Sequence, residues 1–127
     1  MVTMHKKEVE TVFRLPVNKR YEYFIKKVAD FEEVWGLYHE GWAMTKDDNG
    51  NLMMPFWPKE EFAQLCAVGE WENYIPESID LDEFIEEWIP GLKGDGFKPS
   101  IFWNNDDAVL VELDKLLYDL QAELEKY

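Results

Sequence analysis

The sequence predicts an α+β fold. A three-stranded antiparallel meander, extended by one or two further strands, packs against about four helices in a single compact domain. Three observations carry this reading. Asp48-Asn49-Gly50 lies between two apolar runs, and Asn-Gly there signals a hairpin, because both residues tolerate the positive φ of the turn. Asp80 stands ahead of Leu81, Phe84, Ile85, Trp88, Ile89 and Leu92, an apolar stripe at helical spacing. A second stripe, Leu113, Leu116, Leu117, Leu120 and Leu124, closes the chain.

The pleat sets the hairpin register. A three-residue loop, Asp48-Asn49-Gly50, pairs Asp47 with Asn51 and puts Trp42, Met44, Leu52, Met54 and Phe56 on one face, with Trp42 opposite Phe56. Ala43, Thr45, Asp47, Asn51, Met53 and Pro55 share the other, mostly small or polar face. A two-residue loop would mix apolar and polar groups on both faces.

In chain order, residues 1–15 form an N-terminal arm with weak helical periodicity, and residues 16–127 form the domain. A helix starts near Asn18, burying Val17, Tyr21, Phe24, Ile25 and Val28 and leaving Lys19, Arg20, Glu22, Lys26 and Lys27 off the stripe. Val34–Tyr38 reads as a strand leading through Glu40-Gly41 into the hairpin. Pro58 opens a short helix with Glu60 and Glu61 in its first turn; it runs to about Val68, buries Phe62, Leu65 and Cys66, and stops at Gly69. Trp71 to Ile79, interrupted by Pro76, is an edge strand or an irregular crossing.

Asp80 and Glu83 then form a capping-box variant, with Ile79 and Phe84 as the hydrophobic staple. Pro90 ends or kinks that helix near Trp88 or Ile89, and Gly91, Gly94 and Gly96 supply a turn. Phe97 to Trp103 is a last strand and Asn104 to Asp107 a loop; Val109 and Val111 extend the strand or lead into the final helix.

No apolar run reaches the roughly 20 residues of a membrane span, no apolar leader begins the chain, and a single cysteine leaves no internal disulfide, so a cytoplasmic protein is expected. The net charge of −14 divides into +4 over residues 1–28 and −18 over residues 29–127. Such a body repels nucleic acid and anionic membranes and attracts cations.

RYEYF at 20–24, VWGL at 34–37, EGWAM at 40–44, PFWP at 55–58, GEWENYIP at 69–76 and IDLDEFIEEWIPGL at 79–92 resemble the bacterial domain of unknown function 2750 family over roughly residues 15–112. The resemblance implies a small bacterial cytosolic domain. It carries no cofactor and no catalytic residue to this chain.

Four groups of residues have the residue types that chemistry needs but not the spacing or setting. Asp47-Asp48-Asn49-Gly50 fails as a calcium loop, since Thr45 falls at the first ligand and Phe56 where a bidentate Glu is required. Cys66 on an apolar stripe reads as an inert core thiol, and His39 and Cys66 make no convincing nucleophile and base. Ser78 and Ser100 lack a nucleophile-elbow context, and the glycines fit no phosphate loop. No catalytic set, metal set or cofactor is expected. Of the six tryptophans, Trp42 and Trp88 belong to core faces, whereas Trp57, Trp71 and Trp103 lie at element ends and are the candidates for lining a pocket.

Asp82, Glu83, Glu86 and Glu87 form like-charge pairs at i,i+4 with no Lys or Arg between Glu60 and Gly91, a face that calls for a cation. Solvent counterions, the basic N-terminal segment, a basic protein partner or a divalent metal on Glu83 and Glu87 could answer it. The leading functional expectation is a non-enzymatic interaction module that binds a basic partner through these four carboxylates. The alternative is a small-molecule binding or catalytic domain, with an aromatic-lined pocket and a carboxylate acid or base from Glu40, Glu70 or Glu72.

Overall fold

A computed structural model describes residues 5–127; the first four residues of the expected arm lie outside the described residues. The α+β architecture stands. Helices α1 (Lys6–Phe13) and α2 (Val17–Phe31) lead into β1 (Glu33–Tyr38), followed by β2 (Thr45–Lys46), β3 (Leu52–Phe56) and α3 (Glu60–Leu65). A 3₁₀ turn, Gly69–Trp71, precedes β4 (Ile75–Asp80). Next come α4 (Leu81–Glu83), a π-helical segment (Phe84–Trp88) and α5 (Ile89–Asp95), then β5 (Lys98–Ile101), β6 (Val109–Leu110) and α6 (Leu113–Leu124).

The hairpin adopts the register the pleat demands. Thr45 pairs with Met53 and Lys46 with Leu52, the Asp47 amide donates to the Asn51 carbonyl at 3.0 Å, and Gly50 turns with φ +82°. The Asp47 side chain completes the turn by accepting from the amides of Asn49 and Asn51 and from the Asn51 side chain. Those hydrogen bonds, the Asn51 side chain first, hold the Asp47 carboxyl below its usual range.

The strands beside the hairpin are arranged differently from a meander. β1 pairs antiparallel with β4, and the four-stranded sheet runs β2-β3-β5-β6 with β3 and β5 parallel. β1 forms no ladder with the hairpin among the described residues and is bonded to its flanks through isolated bridges, Tyr38 to Trp42 and Trp35 to Trp57. A parallel neighbour needs a crossover, which α3, β4 and the helix from Leu81 supply. Pro55 and Pro99 fit because each is opposite a partner on only one side: β2 stops short of Pro55, and β6 begins at the level of Ser100.

Trp42 therefore does not face Phe56. An added Cβ at Gly36 would stand 3.0 Å from Trp42 Cε3 and Cζ3, so the bare glycine is what lets the indole lie against β1. Trp42 and Phe56 meet instead through Trp88, whose ring centroid is 4.9 Å from Trp42 and 6.1 Å from Phe56. Met44, expected on the apolar face, is exposed where the chain leaves the ladder ahead of β2.

Three further expectations are corrected. The helix begun at Leu81 passes through Pro90 to Asp95, and Gly91 and Gly94 lie within it, leaving Gly96 alone at the left-handed cap with φ +77°. Proline lacks an N–H and crowds the carbonyl four residues before it; the widened π turn just ahead of Pro90 absorbs that mismatch. Asp80 makes no side-chain cap; it ends β4 opposite Glu33, and the Leu81 amide donates to the Glu32 carbonyl at 2.9 Å. α3 ends at Leu65, which is exposed, while Phe62, Ala63 and Cys66 are buried.

The inward face of the sheet carries Met54, Phe56, Pro99 and Ile101, all buried. Phe84 meets Phe56 edge-on at 5.0 Å from the crossover helix. α2 and α6 add Phe24, Val28, Leu116 and Leu120, all fully buried. Burial of one such side chain contributes about 1.5–3 kcal/mol, so these four are a large part of the core. Val9 and Val12 of α1 are buried as well, which makes the described part of the arm a core element.

Candidate ligand-binding cleft

The outward face of the same sheet opens onto a cleft. Alternation along β3 and β5 turns Met53, Pro55 and Ser100 to this side, and Thr45 and Leu110 join them from β2 and β6. These residues floor a cleft of about 530 Å³. Val68, Gly69, Glu70 and Trp71 at the 3₁₀ turn, and Trp103, Asp107 and Ala108 from the loop between β5 and β6, complete the lining. Trp71 and Trp103 meet edge-to-face at 5.3 Å.

Of the candidate pocket tryptophans, Trp71 and Trp103 line the cleft. Trp57 is fully buried behind them, with its ring 6.4 Å from Trp71 and its Nε1 donating to the Trp103 carbonyl at 2.8 Å. The Cys66 thiol donates to the same carbonyl at 3.1 Å, and burial pushes that thiol up to about 12. Trp103 is thus positioned by its backbone, leaving its indole to the cleft.

Arg20, expected on an exposed helix face, is 1% exposed. Its Nε donates to the Leu15 carbonyl at 3.0 Å, and its Nη1 to the carbonyls of Phe102 at 2.6 Å and Asp107 at 3.0 Å. Nη2 completes an ion pair with the Asp107 carboxylate. The loop it grips holds two non-glycine residues at positive φ, Phe102 at +55° and Asn105 at +71°. A buried phenylalanine in that region costs about 1–3 kcal/mol and persists only when its surroundings enforce it. Arg20 is one enforcer; Asn104 is another, donating to the Phe13 carbonyl and accepting from the amides of Asp106 and Asp107. A buried cation with full acceptors has no sequence signature, so charge-based reading passes over it.

Ser100 has the most informative environment. The residue is 6% exposed, its hydroxyl makes no hydrogen bond among the described residues, and no buried side-chain oxygen or nitrogen among them is sealed off without a partner. The hydroxyl therefore opens into the cleft that the residue lines. No histidine stands with it: His39 is exposed against Tyr74, with ring centroids 5.6 Å apart, so a Ser–His nucleophile pair is not assembled. Glu70 lines the cleft, whereas Glu40 and Glu72 do not.

Asp82, Glu83, Glu86 and Glu87 are all exposed and gather far from this cleft. Glu32, the left-handed cap of α2, and Asp80 join them around a shallow depression of about 460 Å³. Among the described residues, none of the ion pairs involves these four carboxylates, and no group of three or more His, Cys, Asp or Glu side chains is placed to hold a metal.

Fold and cleft together define a small α+β domain with an aromatic-lined cleft on one face of its sheet. The chain belongs to the family of proteins of unknown function DUF2750, whose family model matches residues 21–120. That span covers β1 to β6, the cleft lining and most of α2 and α6. No curated protein and no solved structure matches the chain. Among the described residues, no helix is long and apolar enough to cross a membrane.

Proposed function

We propose that this domain binds a small amphipathic molecule in the cleft lined by Trp71 and Trp103. The observation that carries the reading is the Ser100 hydroxyl, on a residue almost wholly buried and yet without a protein partner, at the floor of an aromatic cavity. Because that hydroxyl opens into the cleft, solvent satisfies it there, and a polar group of a ligand can take the place of that water. The volume suits a ligand of drug or metabolite size, and an apolar lining with a few polar groups is the usual composition of such sites. The reading is of binding. Its test is fragment screening by NMR, following the indole N–H resonances of Trp71 and Trp103. Small aromatic fragments at millimolar concentration should move both, and the reading fails if none does.

A second reading rests on the acidic depression, where Glu32 and Asp80 add two carboxylates to the four expected from the helix. We propose that a basic protein segment docks there. Asp82, Glu83, Glu86 and Glu87 would steer its approach by long-range attraction.

A further inference from the structure

We infer that the ligand of the Trp71–Trp103 cleft is an organic cation: a small amine or quaternary ammonium with an apolar body. This inference rests on the cleft reading above and specifies its ligand class. The charges and polar groups around the cavity point one way. Its lining contains the carboxylates of Glu70 and Asp107 and no Lys, Arg or His. Asp107 is already neutralised by Arg20, which leaves Glu70 as the uncompensated charge.

Lys98 stands on the same face of β5 as Ser100, two residues earlier, outside the lining; its field falls on Asp47 at the hairpin turn, which it helps to hold ionised. The other polar groups at the floor, the hydroxyls of Ser100 and Thr45, make no hydrogen bond among the described residues and can accept from an ammonium. Indole faces attract cations through the ring quadrupole, most strongly where water is excluded. An anionic ligand would meet a carboxylate, the indoles that line the cleft and the field of a chain of net charge −14. An apolar body would lie on Met53, Pro55 and Leu110, the last of which is 59% exposed at the mouth.

The test is a titration of the full chain with three isosteres, 3-phenylpropylammonium, 3-phenylpropan-1-ol and 3-phenylpropanoate, read on the indole resonances of Trp71 and Trp103. The cation should bind about tenfold more tightly than the alcohol, and the carboxylate most weakly of the three. The Glu70→Gln variant, at an exposed position, should shrink the advantage of the cation over the alcohol to about twofold or less. Equal affinity of cation and alcohol, or an unchanged cation advantage in the variant, overturns the charge preference while leaving the cleft reading in place. If no isostere moves either indole, both readings fall.

Discussion

Arg20 and Asp107 form an ion pair across 87 positions of sequence, with the guanidinium buried and the carboxylate largely exposed at the cleft. The pair ties the start of α2 to the loop that carries Trp103. Arg20→Ala would leave the carbonyls of Leu15 and Phe102 without their side-chain donor and the Asp107 carboxylate without its partner, and should cost about 3 kcal/mol or more in chemical denaturation. Arg20→Lys should recover little, because an ammonium cannot reproduce the planar fork. Asp107→Asn should cost less than Arg20→Ala, since the exposed carboxylate can be replaced by water. An Arg20→Ala midpoint equal to wild type would remove the account of how Phe102 is held at positive φ.

Gly36 and Trp42 make a sharper packing test. A methyl group at residue 36 would meet the Trp42 ring at 3.0 Å, which forces the indole off β1 and disturbs its edge-on contact with Trp88. Gly36→Ala should destabilise by about 1–3 kcal/mol and change near-ultraviolet circular dichroism from the Trp42–Trp88 pair. An unaltered aromatic spectrum would show that the ring has room to move.

At the hairpin turn, Gly50 has open space around it but φ +82°, so backbone conformation and not crowding decides the outcome. Gly50→Val should lower stability by about 1 kcal/mol or more, whereas Gly50→Asn, which tolerates the left-handed region, should lower it less. Equal losses for both would contradict this ordering.

Cys66 and Tyr23 predict alkaline behaviour. Burial raises the Cys66 thiol from 9.0 to about 12, and the Tyr23 phenol, also mainly by burial, from 10.0 to about 12. Both groups are held protonated in the fold and ionise more easily when unfolded, so their contribution to stability is complete below about pH 9 and declines as the pH rises towards 12. Native Cys66 should accordingly resist alkylation at pH 8 and react fully in denaturant. Urea midpoints measured from pH 7 to 11 should fall above pH 9, and Cys66→Ala should delay the onset of that fall. A flat profile would contradict the burial of both groups.

For the acidic depression, Glu83→Lys with Glu87→Lys should leave the fold intact or slightly more stable: positions 83 and 87 exchange one like-charge repulsion for another, while Asp82 and Glu86 gain positive neighbours. Pull-downs by wild type and double variant at low and high salt then read the second proposal. A basic protein held by the wild type at low salt should be released at high salt and be missing from the variant. Identical recoveries return these carboxylates to ordinary surface charge.

How much could be read before the structure depended on how local the cause was. The hairpin register, the Gly50 turn, the stripes of α2 and α6 and the burial of Cys66 follow from neighbours within a few residues, through turn stereochemistry and side-chain periodicity, and the sequence by itself determined them. The candidate site was legible only in part: Trp71 and Trp103 stood out as aromatics at element ends, and Glu70 as a carboxylate beside one of them. Tertiary structure decided the rest. Strand partners are chosen by long-range burial, so β4 took the place beside β1, and β5 came to lie parallel to β3, setting Ser100 next to Pro55. Pairing two alternating strands in parallel sorts one side of each into the core and the other into a shared outer face. A face that looked merely small and polar on the hairpin alone became the floor of a cleft. Arg20 is the same lesson in charge: a cation can be buried only where distant carbonyls converge on it, and Leu15, Phe102 and Asp107 are brought together by the fold alone.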